Sequence, residues 1–297
     1  MAEELVERLK RLTLIALFSE DELVHTLVLK GGNALRIAYN VASRASFDLD
    51  FSMEGQFEPS DLDRIRARIE TRLQQVFQRE AYVAFDVTLE PKPETISPAR
   101  EAFWGGYDLQ FKLIPRARYD ELGGELAAIR REAIPPRPGG KARFEIDISR
   151  HEYCEGKQTI VVDDFTVFVY TPAMVACEKI RAIAQQTAVY ARSVEKHRAV
   201  RTRDFYDIHE VVTRLDVDLF AVENQELLVK MFAAKRVPLK LLNSLDDQRE
   251  FHRQGWDALR DTVDTRVRLR DFDFYFDYVL NLCQELAQAI RLRPRGT

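Results

Sequence analysis

The chain has 297 residues, 46% of them hydrophobic and 31% charged, with a formal net charge of −4. That is enough apolar sequence to bury a large core in one or two domains, and it excludes a disordered polymer. The slightly negative balance argues against a protein that coats nucleic acid over its whole surface and leaves room for a local basic patch.

Glu3, Glu4 and Glu7, then Lys10 and Arg11, interrupt the opening residues, which do not read as a signal peptide. No apolar run reaches the roughly 18 residues of a membrane span, so a cytoplasmic protein without membrane contact is expected. Cys154, Cys177 and Cys283 are far apart and form no zinc or disulfide pattern, which suits a reducing compartment.

Residues 2–18 place Leu5, Val6, Leu9, Leu12 and Leu17 at the spacing of an amphipathic helix. Leu27, Val28 and Leu29 predict a short apolar strand ending at Lys30 and Gly31-Gly32, with a helix from near Asn33. Phe47, Leu49 and Phe51 then alternate with Asp48 and Asp50, so a strand turns the apolar residues one way and the aspartates the other. Pro59-Ser60-Asp61 opens a second helix with Ser60 as its N-cap and Leu62, Ile65, Ile69, Leu73 and Val76 on one face. Strand alternation returns over 82–89, 106–114 and 143–149, with a short helix expected over 125–131. Residues 158–170 read as a hairpin turning at Asp163-Asp164.

From Thr171, a good N-cap ahead of Pro172, helical patterns run over 173–190, 204–214, 224–234, 245–262 and 272–292. Trp256, Leu259, Phe274, Tyr275, Tyr278, Val279 and Leu282 are the expected core of that helical part. The fold class is therefore α+β: a mixed-sheet domain over 1–170 followed by an all-helical domain over 171–297.

The chemistry concentrates in residues 27–52. Asp48 and Asp50 on one strand face would stand about 6 to 7 Å apart. Two such carboxylates repel each other in water-poor surroundings, and divalent cations remove that repulsion. Gly31-Gly32, between a strand and a helix N-terminus, offers backbone N–H groups and partial positive charge to a phosphate. Neither feature is specific alone, since Asp-x-Asp also occurs on solvated strand faces and Gly-Gly in ordinary turns. Their ordered combination fits a nucleoside triphosphate with its Mg²⁺.

Lys30-Gly31-Gly32-Asn33-Ala34-Leu35, followed by Ser46-Phe47-Asp48-Leu49-Asp50-Phe51-Ser52, resembles the signature of the AbiEii/AbiGii nucleotidyltransferase toxins, members of the DNA polymerase β-like superfamily. The resemblance implies that Lys30, Gly31, Gly32 and Asn33 bind the nucleotide and that Asp48 and Asp50 bind Mg²⁺ or Mn²⁺. It also implies a third carboxylate on a neighbouring strand, which completes metal coordination or takes the proton from the attacking hydroxyl. Asp147, on the alternating stretch 143–149, is the candidate, with Glu145 and Asp108 behind it.

The family also has a lysine helix that contacts the nucleotide, which Glu178-Lys179-Ile180-Arg181 resembles, so Lys179 and Arg181 are expected at the triphosphate. Arg203-Asp204-Phe205-Tyr206-Asp207-Ile208 resembles its Arg-Asp-x-x-Asp motif, with Asp204 the preferred active-site acid over Asp207. The helical domain would thus contribute Lys179 and the Arg-Asp motif to the active site. The basic residues Arg192, Lys196, Arg198, Arg201 and Arg203 could guide an RNA acceptor or the triphosphate, or form a solvated loop. Where the family usually has Thr and an acidic residue, this chain has Asn33 and Phe47, which bears on substrate preference.

The implied function is transfer of NMP from an NTP to an acceptor, the tRNA 3′ end, by a toxin of phage defence with a cognate antitoxin protein. The alternatives are a protein hydroxyl as acceptor, or a silent nucleotide- or RNA-binding module. An Asp-x-Asp glycosyltransferase fits the upstream glycines and the helical second half poorly.

Overall fold

Buried apolar and more exposed polar residues alternate along Phe144–Ser149 and over 107–113, and this alternation gives the sheet its apolar and polar faces. The computed structural model describes residues 2–41, 48–136, 139–195, 197–264 and 266–292; Ser46, Phe47 and Lys196 lie outside them. The chain divides into two compact units, residues 1–33 with 47–169 and residues 34–46 with 170–297. The fold is α+β.

The first unit holds one sheet of seven strands: β1 (Val28–Lys30), β2 (Leu49–Ser52), β3 (Tyr82–Lys92), β4 (Gly106–Pro115), β5 (Phe144–Ser149), β6 (Gln158–Val162) and β7 (Phe165–Val169). Their spatial order is β3-β4-β5-β2-β1-β7-β6. The β2–β5 and β1–β7 pairs are parallel and the others antiparallel. On β5, Phe144, Ile146 and Ile148 are buried while Glu145, Asp147 and Ser149 lie on the other face.

Helices Ala2–Phe18 and Leu62–Gln78 cover the apolar face. Phe18 meets Phe51 at 6.0 Å between ring centroids, Phe77 meets Phe111 at 5.9 Å, and Phe111 stacks on Phe144 at 5.1 Å. Burying such a ring contributes roughly 1.5–3 kcal/mol. Ser60 is not the N-cap of the second helix. It lies inside a 3-10 turn, Pro59–Asp61, and the helix starts from Asp61 without a side-chain cap. The hairpin β6–β7 turns at Asp163 and Asp164 with φ of 45° and 69°, left-handed conformations that short polar residues tolerate in such turns. A helix over Arg116–Glu121, for which no periodicity was evident, precedes the expected one at Leu126–Arg131.

In the second unit, Thr171 Oγ1 accepts from Met174 N and Pro172 opens the helix Pro172–Ala184. This helix is buried on nearly all sides and packs on Thr202–Arg214 and Val222–Ala234. The helix expected over 173–190 is in fact two, because the chain breaks before Ala188–Ser193. Thr187 caps the helix Ala188–Ser193, its Oγ1 accepting from Tyr190 N at 3.4 Å, and a distant segment holds the break: Arg198 Nε donates to the Gln186 carbonyl at 2.5 Å, and Ala199 N to Gln186 Oε1 at 2.7 Å. Arg198 also lies 3.9 Å over the Phe251 ring, so part of the basic stretch is folded onto the unit. Residues 34–41 join this unit, where the Tyr39 hydroxyl donates to the Tyr170 carbonyl at 2.8 Å.

The helix expected over 245–262 is likewise divided, into Asp246–Gln248, Arg249–Arg253 and Trp256–Arg260. At Gly255 a Cβ would lie 2.4 Å from Thr202 Oγ1 and 2.7 Å from Val200 Cγ1, so only glycine permits this approach. Of the expected core, Leu259, Tyr275, Val279 and Leu282 are buried, whereas Trp256, Phe274 and Tyr278 are partly exposed. Phe272 and Phe276 fill the centre instead, with Phe205 stacked on Phe276 at 5.0 Å.

His252 is fully buried against Phe205, and its Nδ1 accepts the Arg201 N–H at 3.0 Å. Burial pushes the imidazole down to about 3, and the charges of Arg198 and Arg201 act the same way. The ring is therefore neutral in the folded chain, whereas the unfolded chain takes up this proton near pH 6.5. Stability should fall as pH drops through 6.5 toward 3, by at most about 1.4 kcal/mol per pH unit. In His252→Gln the acid limb of a urea midpoint-against-pH curve should be flatter; an unchanged limb would remove His252 as its cause.

Candidate active site

In the first unit, register brings a row of charged side chains together. Lys30 pairs with Asp50, Asp50 with Asp147, Asp147 with Asp108, and Asp108 with Glu90 across five strands. Directly opposite residues share a face, so Asp50 and Asp147 stand side by side on strands about 4.8 Å apart. Asp108, a weaker candidate by sequence, is the next neighbour of Asp147. Asp48 lies just before β2 and is exposed, and its carbonyl accepts from Asn33 Nδ2 at 2.6 Å.

The glycine turn is built against this row. The helix runs Gly31–Tyr39, starting within two residues of Asn33, and the two glycines supply its first N–H groups. Gly31 has φ of +70°, and a Cβ on it would sit 2.8 Å from Asp50 Oδ2. Positive charge at the helix N-terminus thus lies beside Asp50 and offsets part of the carboxylate repulsion.

Gly31→Ala should cost about 1–2 kcal/mol for the left-handed backbone and push the Asp50 carboxylate out of place. Urea unfolding would measure the first effect, and a transfer rate reduced at least about tenfold the second. A fully active Gly31→Ala would show that this contact does not position Asp50.

The neighbouring candidates are tied into the fold around the row. Asn33 is fully buried; besides tethering Asp48, its Oδ1 accepts from Lys10 Nζ at 3.3 Å. Lys30 is also buried, donating to Ser149 Oγ at 3.0 Å with Glu152 Oε1 at 3.9 Å. Lys92, absent from every sequence motif, bonds to Asp147 Oδ1. Burial lowers its ammonium while Asp147, Asp108 and Glu145 raise it, and the net shift is upward. The signal for Lys92 was available: alternation along β3 carries Thr88, Glu90 and Lys92 to the exposed face.

Among the described residues, no three or more His, Cys, Asp or Glu side chains already form a cluster able to hold a metal ion. The donor set nonetheless fits a hard divalent cation. Asp50 and Asp147 are adjacent carboxylates, and Asp48 stands near them at an exposed position. An open carboxylate set of this kind suits Mg²⁺, which keeps several waters.

The second unit holds a separate cluster. Lys179 is buried, with Nζ 2.8 Å from Asp204 Oδ1 and 2.8 Å from Asp207 Oδ2. Both acids of the Arg-Asp-x-x-Asp motif therefore hold the lysine, and the geometry gives neither preference. They lie on one face of the helix Thr202–Arg214, with Arg201 3.7 Å from Asp204. Arg181 is buried with Glu178 at 3.3 Å and Gln185 at 3.5 Å. Arg203 is exposed.

A family profile described as nucleotidyl transferase AbiEii toxin, Type IV TA system, matches residues 13–278. The match defines the protein as a nucleotidyltransferase. Within that class, the chain belongs to the AbiEii toxin family of type IV toxin–antitoxin systems. Comparison with curated proteins gives no match. Among solved structures, a candidate nucleotidyltransferase from H. pylori is similar at 12% identity and a TM-score of 0.47, over 98% of this chain and 97% of that one. JHP933 from Helicobacter pylori is similar at 13% identity and a TM-score of 0.47, over 96% and 91%. An antigenic nucleotidyltransferase-like protein from Paracoccidioides brasiliensis gives 12% and 0.34, over 76% and 92%. These likenesses are too distant to carry an argument, and the assignment rests on the family match. No helix among the described residues is long and apolar enough to cross a membrane.

Proposed function

We propose that the enzyme moves a nucleoside monophosphate from an NTP to the 3′ end of tRNA in a reaction requiring Mg²⁺ or Mn²⁺, and that a cognate antitoxin protein restrains it. The observation that carries this reading is the apposition of Gly31 to the Asp50 carboxylate, with Asp147 next to it in register. Asp48, Asp50 and Asp147 would hold the cation, and the first N–H groups of the helix at Gly31 and Gly32 would receive phosphate oxygens. When bound, the cation draws charge from the phosphates and offsets what develops as pyrophosphate leaves.

The acceptor hydroxyl forms its bond to the α-phosphorus, the bond from that phosphorus to the pyrophosphate oxygen breaks, and the hydroxyl proton departs through a carboxylate of the row to water. Lys179, Asp204 and Asp207 belong to this reading as residues required for transfer. Net negative charge is compatible with an RNA acceptor only if contact is local, which exposed Arg192 and Arg203 would support.

The test incubates the protein with Mg²⁺, each α-³²P-labelled NTP in turn, and total tRNA, and resolves the products on a gel. Label on tRNA that disappears in Asp48→Ala is the expected result. Label on a protein band would keep the chemistry and change the acceptor. Triphosphate binding without any labelled product would leave a silent binding module and overturn the reading.

A further inference from the structure

Lys92 stands on β3, an edge strand of the sheet, two residues beyond Glu90 in the charged row. Period-two alternation therefore brings its side chain to the carboxylate face, where the ammonium meets Asp147 Oδ1. Asp108 and Glu145 also act on it. Lys30, the lysine within the row, donates to Ser149 Oγ and lies 3.9 Å from Glu152 Oε1. Asp147 is 44% exposed and Lys92 54% exposed, so the contact can open without disturbing the core.

We infer that Lys92 is a displaceable counter-ion, which neutralises Asp147 until a divalent cation arrives and thereby sets the affinity of the site for that cation. The inference rests on the reading that Asp48, Asp50 and Asp147 take the cation. A lysine suits the task because its ammonium is a compact charge on a flexible four-carbon stem that can swing aside. A doubly charged ion held by Asp50 and Asp147 would gain more from the row than one ammonium on Asp147 alone. Cation binding must still displace that ammonium, and the row is kept from full repulsion before loading. Lys92 is a positioning residue here, acting through Asp147.

The full chain is titrated with Mn²⁺ in the absence of nucleotide, with free Mn²⁺ read by its paramagnetic resonance signal. Lys92→Gln should bind Mn²⁺ more tightly, by about threefold to tenfold given the exposure of the pair. Lys92→Arg, which keeps the charge, should stay near the wild type. The gain from Lys92→Gln should vanish in an Asp147→Asn background. Circular dichroism confirms that each variant is folded. If Lys92→Gln binds equally or more weakly while Asp50→Asn abolishes binding, the role of Lys92 is overturned and the cation site stands. If wild-type binding is absent or indifferent to Asp50→Asn, the cation reading fails and this inference falls with it.

Discussion

Replacing Lys179 with methionine should lower the stability of the protein by about 3–5 kcal/mol. Methionine keeps most of the stem and removes only the charge and its hydrogen bonds. What remains is a pair of buried carboxylates, Asp204 at 7% and Asp207 at 4% exposure, whose shared ammonium is gone. Arg201, 3.7 Å from Asp204 and partly exposed, compensates only in part. Breaking one partner of a buried ion pair is costly because the other keeps its desolvation penalty.

A triple variant, Lys179→Met with Asp204→Asn and Asp207→Asn, should regain most of the lost stability and still fail to transfer nucleotide. Urea unfolding followed by circular dichroism measures the first quantity and labelled-NTP transfer the second. A loss below about 1 kcal/mol in Lys179→Met would mean that this cluster behaves like a surface pair. Recovery of both stability and transfer in the triple variant would remove the lysine charge from the chemistry.

Asp50→Asn should reduce transfer by about a thousandfold or more with the fold intact. The amide has nearly the size of the carboxylate, so the approach of Gly31 is preserved and only the charge is lost. Because Asp50 lies between Lys30 and Asp147 in the row, the substitution removes one repulsion together with the attraction of Lys30, and the urea midpoint should change little. Asp48 is exposed and precedes the strand, so Asp48→Ala should leave the fold still less affected. Near-normal transfer by a folded Asp50→Asn protein would sink the assignment of the carboxylate row as the active site.

Local periodicity was legible in the chain itself. Alternation located β3, β4 and β5 to within a few residues, because a strand with one buried face must repeat every second residue. Thr171 and Pro172 marked the start of a helix because capping is a contact between near neighbours. Asp48, Asp50, Asp147, Lys179, Asp204 and Asp207 were named by residue type and motif, and the structure shows how some of them meet.

What only the tertiary structure decided depends on partners distant in sequence. The break at Gly255 arises from Val200 and Thr202 packing against it, and the break at Gln186, capped locally by Thr187, is held by Arg198 and Ala199, partners that no helical pattern encodes. Asn33 became a tether for Asp48, and Lys179 gained both aspartates and not one. Lys92 came to Asp147 through the order β3-β4-β5. Alternation says which face a residue takes; strand order and register say which residue stands beside it, and those are settled only when the whole sheet closes on its core.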